Sequence, residues 1–256
     1  MTISQTSHAV LLAALLSLST LTHASAQSAD VAAAIEAWEN DDYSRLSDID
    51  RCADAGVPAC EAAKGVGQIY GYGWDVNVSA GSKLIKNAAK NGALYAQSSL
   101  GDLYTEDDVF NENLPKAAYW HAKAANNPVG DDFAREWSQE EFWRLPFDII
   151  RETDGWMTVP PANPRKRKWG GMGYSLDDKA DPMTVEESAD FSRAQRAVAQ
   201  GQPSEYDLYI IARLTAKDKP DAMFLYGSLV SQGRYFPQNP DLASTYLSAA
   251  KTWGLE

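Results

Sequence analysis

Internal self-similarity at helical spacing is the feature that most restricts what this chain can fold into. Ala62–Gly73 reads AAKGVGQIYGYG and Ala96–Asp107 reads AQSSLGDLYTED, so that Ala62, Gly67 and Tyr70 recur as Ala96, Gly101 and Tyr104, each displaced by 34 residues. A third copy, AMFLYGSLVSQG, begins at Ala222 and sets Gly227 and Gly233 where the first has Gly67 and Gly73. Each copy leads into a second segment, SKLIKNAAKNG, AAYWHAKAANN or STYLSAAKTW. These segments share the alanine pairs Ala88-Ala89, Ala124-Ala125 and Ala249-Ala250, preceded at helical spacing by Leu84, Trp120 and Thr245 or Tyr246. Small side chains at such positions let the two helices of a hairpin approach closely. A hairpin of about 35 residues cannot bury its apolar face alone, so neighbours must stack into a solenoid with a continuous core. The expected fold class is all-α, a solenoid of αα-hairpins.

These residues resemble the Sel-one-like repeat family, an alanine- and glycine-rich relative of the tetratricopeptide repeat. The second copy carries the resemblance furthest, with Ala96, Gly101, Tyr104, Ala117, Trp120, Lys123, Ala124 and Ala125 at matching places. The first keeps Gly67, Tyr70, Gly73 and Gly92 but has Gly81 and Leu84 at the Ala and Trp places, and the third has Val230 in place of the tyrosine. The likeness covers roughly residues 30–130 and 200–254; Val31–Cys52 and Val185–Ala216 read as degenerate hairpins. It implies a scaffold that binds another macromolecule through a concave helical surface, with no cofactor and no chemistry of its own. Exported branches of the family are similar in joining helices through cysteines eight positions apart, the separation of Cys52 and Cys60.

The first 26 residues hold none of the chain's 23 basic and 35 acidic side chains. Ala9–Leu21, AVLLAALLSLSTL, is too short to span a membrane as a helix, and Ala24-Ser25-Ala26 offers the small-x-small pattern of a signal-peptidase site. The chain thus reads as an export signal over 1–26, helical repeats over 27–130, a helix and irregular insertion over 131–183, and further repeats over 184–256. The mature product would be periplasmic or secreted, without a membrane span. In that oxidising setting Cys52 and Cys60, separated by a turn containing Gly56 and Pro58, should form a disulfide between adjacent helices. Removing the signal would leave His121 as the only histidine, which argues against His-based zinc sites and Ser-His-Asp triads. Its setting in AAYWHAKAANN reads as a helix surface.

The net charge of −12 opposes binding to nucleic acid. The insertion contains an amphipathic helix ended or bent by Pro146, then a stretch rich in proline, glycine and tryptophan that reads as a loop. Two readings of that loop stand side by side. Its rings, Trp156, Trp169 and Tyr174, either plug the solenoid where the repeats break or face a ligand together with the basic run Arg165-Lys166-Arg167-Lys168. The partner would be another envelope or secreted protein, or an anionic glycan. An alternative is a glycan-binding or glycan-cleaving protein that uses the tryptophans and a carboxylate pair, drawn from doublets such as Asp131-Asp132, Glu140-Glu141 or Asp177-Asp178. Adjacent acids on a helix point about 100° apart, so such doublets are far more often solvated faces. Tyr70, Tyr72 and Trp74 could face the partner, though the glycines between them favour packing.

Overall fold

The computed structural model describes residues 30–105, 109–129, 132–163 and 182–253, and all regular structure among them is helical. The segment read as an export signal, the run Arg165–Trp169 and Tyr174 lie outside the described residues. The chain divides after Asn91 into two compact units.

The first unit contains α1 (residues 30–39), a 3-10 turn at Tyr43–Arg45, α2 (Leu46–Asp54), α3 (Pro58–Tyr70) and α4 (Val78–Lys90). The stretch expected as a degenerate hairpin, Val31–Cys52, holds most of α1 and α2. Cys52 near the end of α2 is bonded to Cys60 in the first turn of α3, their Cα atoms 5.9 Å apart. Pro58 starts α3, where its missing N–H costs nothing. Gly71 ends α3 at φ 82°, a left-handed C-cap that a side chain would strain. Helices α3 and α4 then pack through glycine. A Cβ on Gly65 would stand 2.7 Å from Ile85 Cγ1, and one on Gly81 would stand 2.5 Å from the Gly65 carbonyl oxygen.

The second unit begins with the hairpin α5 (Leu94–Thr105) and α6 (Leu114–Ala125). Next, α7 (Asp132–Arg144) packs on both α5 and α6, and the short α8 (Phe147–Arg151) comes after Pro146. The pair α9 (Val185–Ala199) and α10 (Glu205–Ala216) forms the other expected degenerate hairpin, each helix opened by a reciprocal capping box, Thr184 with Glu187 and Ser204 with Asp207. Helix α10 also packs on α7 and on α11 (Pro220–Gln232), which forms the last hairpin with α12 (Pro240–Trp253). Phe142, Trp143, Ile150, Tyr209, Ile211, Met223 and Tyr246 centre the core.

The three hairpins α3/α4, α5/α6 and α11/α12 share one internal register. Their first helices begin at Pro58, Leu94 and Pro220 and their second at Val78, Leu114 and Pro240, so both series step by 36 and then 126 residues. Each second helix is opened by an asparagine whose side chain accepts from a backbone N–H three residues on: Asn77 from Ala80, Asn113 from Lys116 and Asn239 from Leu242. The backbone N–H of the same asparagine donates to the first helix, at Gln68 O, Tyr104 O and Val230 O respectively. The first interval is therefore 36, not the 34 that aligned Gly67 with Gly101. Gly65, Gly101 and Gly227 are the equivalent glycines, and Gly71, not Gly73, matches Gly233 as the left-handed C-cap. The double glycine in Gly65-Val66-Gly67 permitted both registers. Buried Cys60, Ala96 and Ala222 are likewise equivalent, as are Ala88, Ala124 and Ala250.

Candidate functional site

His121 is buried, not on the helix surface. Helix α6 turns Ala117, Ala118, His121, Ala124 and Ala125 inward, and the imidazole lies directly over Gly101, in space a Cβ there would occupy. Neither ring nitrogen has a hydrogen-bond partner, and Nε2 is 3.8 Å from Asp102 Oδ1. Burial pushes the imidazole pKa down to about 3, so the ring is neutral at pH 7. Around it, polar side chains tie α5 to α7 and to the link between α6 and α7. Trp137 Nε1 donates to Asp102 Oδ1 at 2.9 Å, Ser138 and Ser98 hydroxyls meet at 2.9 Å, and Asn127 Nδ2 donates to Gln97 Oε1 at 2.9 Å. This seam is structural, because its donors and acceptors are spent on joining helices.

Two described tryptophans of the insertion are structural as well. Trp143 and Trp156 are buried with ring centroids 6.2 Å apart, edge to face. Val159 and Ala162 are also buried, and the Tyr246 hydroxyl bonds to the carbonyls of Pro161 and Ala162. Up to Asn163, then, the segment is packed into the second unit, with the Trp156 ring buried. Glu140 and Glu141, one of the carboxylate doublets, are both engaged by Arg144 on the next turn of α7.

The exposed aromatic side chains lie elsewhere. In the first unit, the turn between α3 and α4 carries Tyr70 and Tyr72, 42% and 50% exposed, with their rings stacked 5.7 Å apart. Tyr43, 38% exposed, lies against the same turn, its Cδ1 next to where a Cβ on Gly73 would project. The turn itself is tightly held. Trp38 Nε1 donates to the Tyr72 carbonyl at 3.0 Å, Tyr72 N–H to Gly67 O at 3.0 Å, and Trp74 Nε1 to Asp50 Oδ1 at 3.0 Å. Trp74 also covers Gly67, whose missing side chain makes room for the indole. Trp74 thus fulfils the packing role its neighbouring glycines suggest, whereas Tyr70 and Tyr72 do not. In the repeat register Tyr104 corresponds to Gln68, and it is half-buried against Phe110. Tyr119 on α6 and Phe224 on α11 are further exposed rings.

The fold is one of αα-hairpin repeats. No family model matches the chain, and no curated protein matches it. Among solved structures it is similar to a protective antigen of uropathogenic Escherichia coli strains displaying an SLR fold, at 18% identity and a TM-score of 0.41 over 88% of this chain and 45% of that one. It is also similar to a Sel1 repeat protein from Oxalobacter formigenes, at 14% identity and a TM-score of 0.41 over 88% of this chain and 85% of that one. The chain spans less than half the length of the first of these.

Proposed function

We propose that this chain is an exported scaffold of the bacterial cell envelope that works by protein–protein contact. The observation that carries the reading is the division of its aromatic side chains. Trp143 and Trp156 are committed to the core, while Tyr70, Tyr72, Tyr119 and Phe224, spread over all three repeat hairpins, face outward. Large exposed rings on helical hairpins cost solvation and offer contact area at low side-chain entropy, as interface residues do. The small residues inside each hairpin support this by fixing the frame on which those rings stand. A Trp-rich glycan site would lose Trp156 to the core.

The test is photo-crosslinking in intact cells, with a photoreactive residue in place of Tyr72, Tyr119, Phe224 or the buried Trp143. Discrete protein adducts from the outward positions and none from position 143 are expected, with the chain recovered in the envelope or medium. Adducts with glycan alone, or none from any outward position, would refute the scaffold reading.

A further inference from the structure

In the turn that carries Tyr70 and Tyr72, exposed rings, acidic side chains and a firmly held backbone coincide. Three aromatic rings are exposed there, and the carboxylates of Asp41, Asp42 and Asp75 are exposed on the same loops. Residues 40–44 and 70–77 contain no Lys or Arg, and neighbouring Arg45 is committed to Asp48 at 2.8 Å. The Tyr43 hydroxyl donates to Asp41 Oδ1 at 3.1 Å, which fixes one acid beside one ring. The Asp42 carboxylate is kept ionised by the Ser44 N–H that it accepts at 3.0 Å. Indole and backbone hydrogen bonds hold the turn from beneath, so little ordering remains to be done on binding.

We infer that Tyr43, Tyr70 and Tyr72, with Asp41, Asp42 and Asp75, form a docking surface for an extended segment of a partner protein in which proline alternates with arginine or lysine. The inference rests on the scaffold reading and names the chemistry of the partner. Charge complementarity selects the cation: three carboxylates on loops that carry no Lys or Arg attract a basic segment and repel an anionic glycan or phosphate. The rings select the rest. A pre-extended proline-containing chain packs its pyrrolidines on tyrosine faces and loses little entropy in doing so, while the arginine guanidinium or lysine ammonium can lie over a ring or reach a carboxylate.

The experiment uses the full chain and a fluorescein-labelled peptide of five Pro-Arg repeats, monitored by anisotropy at two salt concentrations. Controls are five Gly-Arg repeats, ten prolines and chitotetraose. The Pro-Arg peptide should bind at least about fivefold tighter than each control. Y70S/Y72S should weaken it about tenfold, Y70F/Y72F should hold it within about twofold, and D41N/D42N/D75N should weaken it and flatten its salt dependence. Unchanged thermal midpoints keep these variants interpretable. Equal binding of Gly-Arg repeats, indifference to Y70S/Y72S, or chitotetraose binding that is lost in Y70S/Y72S would each overturn the surface. Adducts that persist at position 119 in a Y70S/Y72S background, without peptide binding to the parent chain, would overturn this surface and leave the scaffold reading standing. An absence of adducts at every outward position would remove both.

Discussion

Lowering the pH from 7.5 to 5.0 should destabilise the second unit through one residue, His121. Its imidazole is enclosed between α5 and α6 with no hydrogen-bond partner, and burial takes its pKa from 6.5 to about 3. The unfolded chain then binds a proton below pH 6.5 that the folded chain refuses. Stability is therefore full above about pH 6.5, falls as the pH drops, and levels off only near pH 3. At about 1.4 kcal/mol per pH unit, the interval from 6.5 to 5.0 removes about 2 kcal/mol, and the whole range to pH 3 would remove about 5 kcal/mol. The carboxylates of Asp48, Glu187 and Asp207, held by ion pairs or caps, are lowered in pKa and act below this window. Asp48, for example, is held below the usual carboxylate range by its hydrogen bond from Arg45 and titrates at lower pH.

The assay is urea unfolding at pH 7.5 and 5.0 for the parent chain and for His121→Leu, with the imidazole tracked by NMR. His121 is the only histidine among the described residues, so the subtraction is clean. The parent should lose about 2 kcal/mol more than His121→Leu across this interval, and the folded-state imidazole should show no titration down to pH 4.5. Equal losses in the two proteins, or an imidazole midpoint near 6.5 in the folded state, would refute the argument.

The same contacts lead to three more expected outcomes. Gly101→Ala drives a methyl into the His121 ring and should cost about 1–3 kcal/mol by urea unfolding, with much of that relieved in Gly101→Ala/His121→Ala. Reducing the Cys52–Cys60 bond, or replacing both by serine, should cost the first unit about 2–3 kcal/mol, read as a denaturation midpoint that shifts with dithiothreitol in the parent and not in the variant. Trp156→Ala opens a cavity against Trp143 and should cost about 3–5 kcal/mol by the same measurement, whereas a ligand-facing tryptophan would cost well under 1 kcal/mol.

The helical hairpins were legible because their pattern is periodic and their punctuation is local. Proline at helix starts, the glycine C-caps and the alanine pairs all announce themselves in the sequence. The register between copies was harder to read, since glycine fulfils two different tasks within a few residues. Gly65 admits the facing helix and Gly67 admits Trp74, and nothing in Gly-Val-Gly distinguishes those tasks without the contacts. A signal did exist in Asn77, Asn113 and Asn239, which sit at intervals of 36 and 126 and cap the second helices. Burial of His121 was not legible for a different reason. It comes after a half-buried tryptophan in a helix rich in alanine, and small residues mark no face strongly enough to show which side turns inward. The placement of Trp156 depends on Trp143, whose ring packs in turn on Tyr209 of α10, and on the bonds that tie Pro161 and Ala162 to Tyr246 of α12, which no local pattern encodes.

The corrected register gives His121 a sharper meaning. In each hairpin the seam glycine faces residues sixteen and twenty positions on: Gly65 faces Gly81 and Ile85, and Gly227 faces Ala243 and Leu247. The matching positions for Gly101 are Ala117 and His121, and the imidazole does cover that glycine. His121 thus occupies a slot that the other two hairpins fill with an aliphatic side chain, and it leaves two ring nitrogens there without partners. An unpaired buried polar group costs about 1–3 kcal/mol, while a leucine of similar bulk fits the same wedge in α11/α12. His121→Leu should therefore be at least as stable as the parent even at pH 7.5, where the imidazole is neutral and its proton linkage is absent. A loss of stability at that pH would mean that the flat shape of the ring, rather than the apolar character of the slot, governs the α5/α6 approach, and Gly101→Ala would then be relieved by alanine at position 121 but not by leucine.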